Sequence, residues 1–151
     1  MKVFVSYSTK DIHIVEKLKK IIEPEVEVYV ATHDVQPGNV LWQKIETSIK
    51  KSNYVVAIMT KNGYRSEMVQ QEIATAKAHK IPVVLIVEEG VDPKGVLAGI
   101  EYLKLDKRHP DQDLEKASTY LKKLKKQADN KFIGSFILVV LAIIMLSQFG
   151  E

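Results

Sequence analysis

The sequence predicts an α/β domain with a doubly wound, five-stranded parallel sheet, followed by one C-terminal transmembrane helix. Three observations predict it. Short β-branched runs, apolar on both faces, alternate with amphipathic helical patterns over residues 2–128, as in a parallel sheet covered on both sides. Single helices separate the strands, and right-handed crossovers then favour a flavodoxin-like arrangement. An uncharged run of 18 residues, 132–149, stands apart from the alternation.

The strands are KVFVS (2–6), VEVYVA (26–31), YVVAIM (54–59) and PVVLIV (82–87), with a weaker fifth in GIEYLKL (99–105). The first helix begins after Thr9 and Asp11 and aligns Ile14, Leu18, Ile21 and Ile22 on one face. The second opens at the Pro37-Gly38-Asn39 turn and presents Leu41, Ile45, Ser48 and Ile49. In the third, Ser66 is the expected N-cap, and Val69, Ile73 and Ala76 form the apolar stripe. The last helix, QDLEKASTYLKKLKKQAD, carries Leu114, Ala117, Leu121, Leu124 and Ala128 at spacings of three and four.

A chain of 151 residues supports one domain of about 130 residues with its own core. Its 46% hydrophobic and 27% charged composition is that of a globular protein. The net charge of +3 is too small to indicate nucleic-acid binding, and the excess is local: residues 120–131 hold five lysines against one aspartate. The absence of cysteine removes disulfides, thiolate nucleophiles and cysteine metal sites together.

The expected boundaries are a domain over 1–128, a juxtamembrane linker over 129–131 and a transmembrane helix over 132–149. As a helix, the last segment is roughly 27 Å long against a bilayer core of about 30 Å. A buried core helix would not stay apolar on every face. The lysines precede it and only Gly150 and Glu151 follow, so the positive-inside rule places the N-terminal domain in the cytoplasm. No N-terminal signal precedes the first strand. The expected location is the membrane, as a single-pass, tail-anchored protein.

In a doubly wound sheet the ligand crevice lies outside the carboxyl ends of the strands, where strand order reverses. The segments expected there are Ser6-Tyr7-Ser8, residues 31–39 and residues 60–66. Glycine-rich phosphate loops and the G-x-S-x-G elbow are absent, and no acidic pair follows the first and third strands as a phosphoacceptor receiver requires. The four histidines show no paired ligand spacing, so no metal site is expected.

The carboxylates divide by local explanation. Glu16 and Glu46 each precede a lysine by four residues, and Glu67 sits in the first helical turn, where negative charge suits the dipole. Glu72 is different. Its neighbours three and four residues away are Met68, Val69, Thr75 and Ala76, so no basic residue of its own helix matches it. Spacing places it at the margin of the apolar stripe, where an exposed boundary glutamate is the plain alternative. From that position, loss of its charge is expected to change stability by no more than about 0.5 kcal/mol.

Three stretches in order, VFVSYSTKD (3–11), HDVQPGNVLWQKIETSIKKSNYVVAIMTKN (33–62) and SEMVQQEIATA (66–76), resemble the TIR domain family, especially its prokaryotic members. The resemblance covers about residues 1–105 and places Glu72 on the family's conserved glutamate. It implies an NAD+ glycohydrolase or cyclase that cleaves the nicotinamide–ribose bond in stress or antiphage signalling, with NAD+ as substrate rather than cofactor. Glu72 is then catalytic, and Ser6, Tyr7, Asp34, Trp42, Tyr64 and Met68 are the substrate-binding candidates. The family helix often carries Trp and Cys where this chain has Met68 and Val69, which leaves Trp42 and Tyr64 as the pocket aromatics. The resemblance also implies self-association through TIR domains, with Gln36, Pro37 and Gly38 in the interaction loop. The alternative it leaves open is a non-catalytic interaction module.

Overall fold

The computed structural model describes residues 1–31, 39–100 and 102–129. Five strands, β1 (Lys2–Ser6), β2 (Glu27–Val30), β3 (Tyr54–Met59), β4 (Val83–Glu88) and β5 (Tyr102–Leu105), pair in parallel in the order β2-β1-β3-β4-β5. Helices α1 (Ile12–Ile22), α2 (Asn39–Lys50), α3 (Lys61–Arg65), α4 (Glu67–Ala78) and α5 (Pro110–Asp129), with short 3-10 turns at Thr9–Asp11 and Gly95–Leu97, complete the described elements. This is the flavodoxin-like order expected from the alternation of runs, with strand order reversing between β1 and β3.

Burial explains why the middle strands read as unbroken apolar runs and the outer ones do not. β1, β3 and β4 are covered on both faces, whereas the edge strands β2 and β5 alternate in exposure. Helices α1 and α5 cover one face, where Ile14, Leu18, Leu114 and Leu121 meet Val3, Val5, Val56 and Ile86. On the other face α2 and α4 set Ile45, Ile49 and Ala76 against Phe4 and Val55, and Val69 and Ile73 against Ala57, Met59 and Leu85.

Several details differ from the sequence expectations. The fifth strand is shorter than 99–105, because Gly95–Leu97 forms a 3-10 turn and Gly99 takes a left-handed conformation at φ 76°. The last helix begins at Pro110, a first-turn position that needs no N–H donor. Ala128 is exposed, so the buried face of α5 ends at Leu124. Glu46 pairs with Lys50 at 2.9 Å, but Glu16 makes no ion pair among the described residues. Asp129, expected to open the linker, is instead the last residue of α5. Residues 130–131 and the expected transmembrane segment 132–149 lie outside the described residues, among which no helix is long and apolar enough to cross a membrane.

Helix α3 has no apolar periodicity to announce it and is set by its cap instead. The Thr60 hydroxyl accepts the N–H groups of Asn62 and Gly63, both at 3.1 Å. Gly63 then packs so closely on the end of β3 that a Cβ there would lie 2.2 Å from the Ile58 carbonyl oxygen. That atom is backbone and cannot swing away. Gly63→Ala is therefore expected to lose about 3 kcal/mol through overpacking, despite the better helix propensity of alanine. Denaturant unfolding checks this, and an unchanged midpoint would show that α3 lifts off β3 at little cost.

Candidate functional site

Crossing from strand to helix at the carboxyl edge, the chain brings its unusual polar groups together. β1 ends at Ser6, and β3 is followed by Thr60, α3 and then α4, whose N-terminus is capped by the Ser66 hydroxyl. The cap fixes the rotation of α4, so Val69, Glu72, Ile73 and Ala76 all point into the protein. Glu72 is thereby carried over the end of β1.

The expectation of a boundary glutamate is corrected by this geometry: Glu72 is 0% exposed. The helix stripe is wide enough to include it because the sheet offers a polar partner there. The Ser6 hydroxyl, itself buried, donates to Glu72 Oε2 at 2.5 Å. Burial pushes the Glu72 carboxyl up to about 7, and the hydrogen bond from Ser6 opposes that rise. The result is a carboxyl group that changes charge near neutrality, a property concentrated at functional sites.

The other sequence candidates divide into two groups. Met68 lies one turn from Glu72 on α4, and Trp42 lies in the first turn of α2; both are half-buried against the Phe4, Ala31 and Ile45 cluster. They sit on the face of the sheet that α2 and α4 cover, the side from which α4 brings Glu72 to Ser6. Tyr64 is half-buried too, but packs with Met59, Val69 and Leu85 on the β4 side of α4. Tyr7 is nearly fully buried, and its hydroxyl donates to the Ala31 carbonyl at 3.2 Å, tying the ends of β1 and β2. Asp34, Gln36, Pro37 and Gly38 lie outside the described residues.

A second polar cluster was not signalled by the sequence beyond the position of Asp11 at a helix start. Asp11 is 0% exposed, yet its side chain does not cap α1. Its Oδ2 accepts from the Thr60 hydroxyl at 2.5 Å, and its Oδ1 accepts from Asn62 Nδ2 at 3.3 Å and pairs with Lys107 Nζ at 3.1 Å. One carboxylate thus joins the loops that leave β1, β3 and β5, and holds the α3–α4 connection that carries Glu72. Its oxygens are committed to these partners, and no cluster of the kind that holds a metal ion occurs among the described residues.

A family model described as the TIR domain matches residues 3–119. Among solved structures, the TIR domain of the Toll-related receptor TRR-2 from Hydra magnipapillata is similar, with a TM-score of 0.60 at 17% identity, covering 78% of this chain and 97% of that one. The CMP N-glycosidase BcmB of Clostridium botulinum is similar to the same degree, with a TM-score of 0.60 at 18% identity, covering 78% of this chain and 98% of that one. At these identities the likeness is one of fold. No curated protein matches the chain in sequence.

Proposed function

Because the chain belongs to the TIR domain family, we propose that it cleaves the nicotinamide–ribose bond of NAD+, with Glu72 as the catalytic residue. The observation that carries this reading is the enclosure of Glu72 beside Ser6 at the carboxyl end of the sheet, next to the strand-order reversal. Cleavage of an N-glycosidic bond is also the activity named for the glycosidase of the same fold.

The bond that breaks joins ribose C1′ to a cationic pyridinium nitrogen. Its electron pair leaves with nicotinamide and neutralises that charge, so the leaving group needs no general acid. Positive charge develops on the ribose, as in glycoside hydrolysis, and an ionised Glu72 beside the ring opposes it. Water then adds to C1′ and releases a proton, which gives ADP-ribose; attack by a second group of the same nucleotide gives a cyclic product instead. Ser6 is the positioning residue, since its hydroxyl fixes one carboxylate oxygen. Trp42 and Met68, half-buried on the face that α2 and α4 cover, supply apolar surface for the nicotinamide or adenine ring.

The wider reading is a prokaryotic, tail-anchored membrane protein in stress or antiphage signalling, with residues 1–128 in the cytoplasm and residues 132–149 in the bilayer. Tethering raises the effective concentration of neighbouring domains, which suits a family that works by self-association. The rival reading is a non-catalytic interaction module, favoured by two observations: Glu72 has no exposed surface, and Met68 stands where the family often has tryptophan.

An assay of NAD+ loss by residues 1–130 across protein concentration and pH separates the two. Activity per molecule is expected to rise with concentration. The rate at low NAD+ is expected to rise with pH and reach half its maximum near the Glu72 value of about 7, since only the ionised form opposes the ribosyl cation. No cleavage at any concentration would support the interaction module.

A further inference from the structure

The direction of α5 decides which end of the domain meets a bilayer. The helix starts at the carboxyl edge of the sheet, where Asp111 pairs with Lys17 at 2.7 Å and the Asp113 carboxylate accepts the Asp106 N–H at 2.8 Å. It runs antiparallel to the strands for 20 residues, a rise of about 30 Å. Its far end is fixed to the opposite edge, where Lys122 pairs with Glu25, just before β2, at 3.5 Å. Helix α5 therefore ends, at Asp129, on the amino edge, and Glu72 sits at the other.

The amino edge carries a charge excess. Its acidic groups Glu23, Glu25 and Glu27 are matched by Lys19, Lys122 and Lys2 at 3.3–3.5 Å. Lys51, just before β3, and Lys80, just before β4, are exposed, as are Lys123 and Lys126 on α5; with half-buried Lys125 they form no ion pair among the described residues. Asp129 is the acidic residue on the last turn. Lys80 also has a φ of 58°, a left-handed conformation after a helix that favours glycine.

Resting on the membrane reading above, we propose that the amino edge of the sheet, through Lys51, Lys80, Lys123, Lys125 and Lys126, docks on an anionic bilayer surface. The occupant follows from charge complementarity and from the uncharged run of residues 132–149, which in the sequence begins three residues after the end of α5 at Asp129. The carboxyl edge of the sheet, where Glu72 is buried, then faces away from the lipid.

The absence of native cysteine allows clean single-site labelling of the full chain. A fluorophore at Ala78→Cys reports the amino edge, and one at Glu89→Cys reports the carboxyl edge; both positions are exposed. In vesicles of phosphatidylcholine and phosphatidylserine, a lipid-headgroup quencher is expected to reduce the first signal several-fold more than the second. That contrast should shrink in phosphatidylcholine alone and in the combined variant Lys51→Glu, Lys80→Glu, Lys123→Glu. Equal or reversed quenching overturns the proposed orientation, and a contrast indifferent to charge overturns the docking surface. Failure of the unlabelled chain to float with vesicles would instead remove the membrane reading, and the proposal with it.

Discussion

Glu72→Gln is expected to abolish NAD+ cleavage and, above neutral pH, to make the domain more stable. The substitution keeps the size of the side chain and an oxygen to accept from Ser6, but removes the charge that would oppose the ribosyl cation. Loss of a strong electrostatic effect of this kind raises the barrier by about 3 kcal/mol or more, at least a hundredfold in rate. The stability effect has the opposite sign. A carboxyl raised from 4.5 to about 7 binds its proton more tightly in the folded state than in the unfolded one. Its contribution is fully present below the unfolded value and is lost as pH rises through about 7, a difference on the order of 3 kcal/mol. Glutamine is neutral throughout, so the variant should match the parent near pH 4 and exceed it at pH 8. Burial thus replaces the near-zero effect that helical spacing alone predicts. Glu67→Gln, exposed on the first turn of the same helix, is the control and should keep activity. An active Glu72 variant would move the reading to the interaction module. A variant less stable at pH 8 would mean that the charged carboxylate holds the fold together.

This combination is a conflict between stability and activity within one residue. A carboxylate buried on the same helix face as Val69, Ile73 and Ala76 weakens the fold whenever it is ionised, and the proposed chemistry needs it ionised. Ser6 moderates the conflict by donating to the charged form.

The parts legible in the sequence are those set by local pattern. β1, β3 and β4 are continuous apolar runs because helices cover both their faces, and the Ser66 cap with the stripe behind it fixes α4. Glu72 stood out because its own helix could not explain it. Its depth did not, since depth depends on Ser6, 66 residues away at the end of β1. The Asp11 cluster was hidden for the same reason: Thr60 and Asn62 lie 49 and 51 residues from it, and Lys107 comes from a third loop. Trp42 and Met68 pack on one cluster because α2 and α4 share a face of the sheet. Helix α3 escaped because a glycine and a threonine cap, rather than apolar spacing, define it.

Deleting residues 130–151 is expected to move the protein wholly from the membrane to the soluble fraction while leaving the domain folded. Twelve residues of the 132–149 run are Phe, Ile, Leu or Val. At about 0.3–0.6 kcal/mol each they favour insertion by on the order of 5 kcal/mol before polar groups are counted. Folding should not depend on the segment, because α5 has already buried Leu114, Ala117, Tyr120, Leu121 and Leu124 against the sheet by the time it reaches exposed Ala128. The lysines that remain on α5 and at the amino edge still attract an anionic surface at about 1 kcal/mol each, an interaction that salt screens. Fractionation therefore needs a high-salt wash, after which the full chain should stay with the membrane and the truncated chain should not. Retention of the truncated chain after that wash would place the membrane contact within residues 1–129 and refute the tail anchor. Release of the full chain would show that residues 132–149 do not span the bilayer and that charge alone holds the protein there.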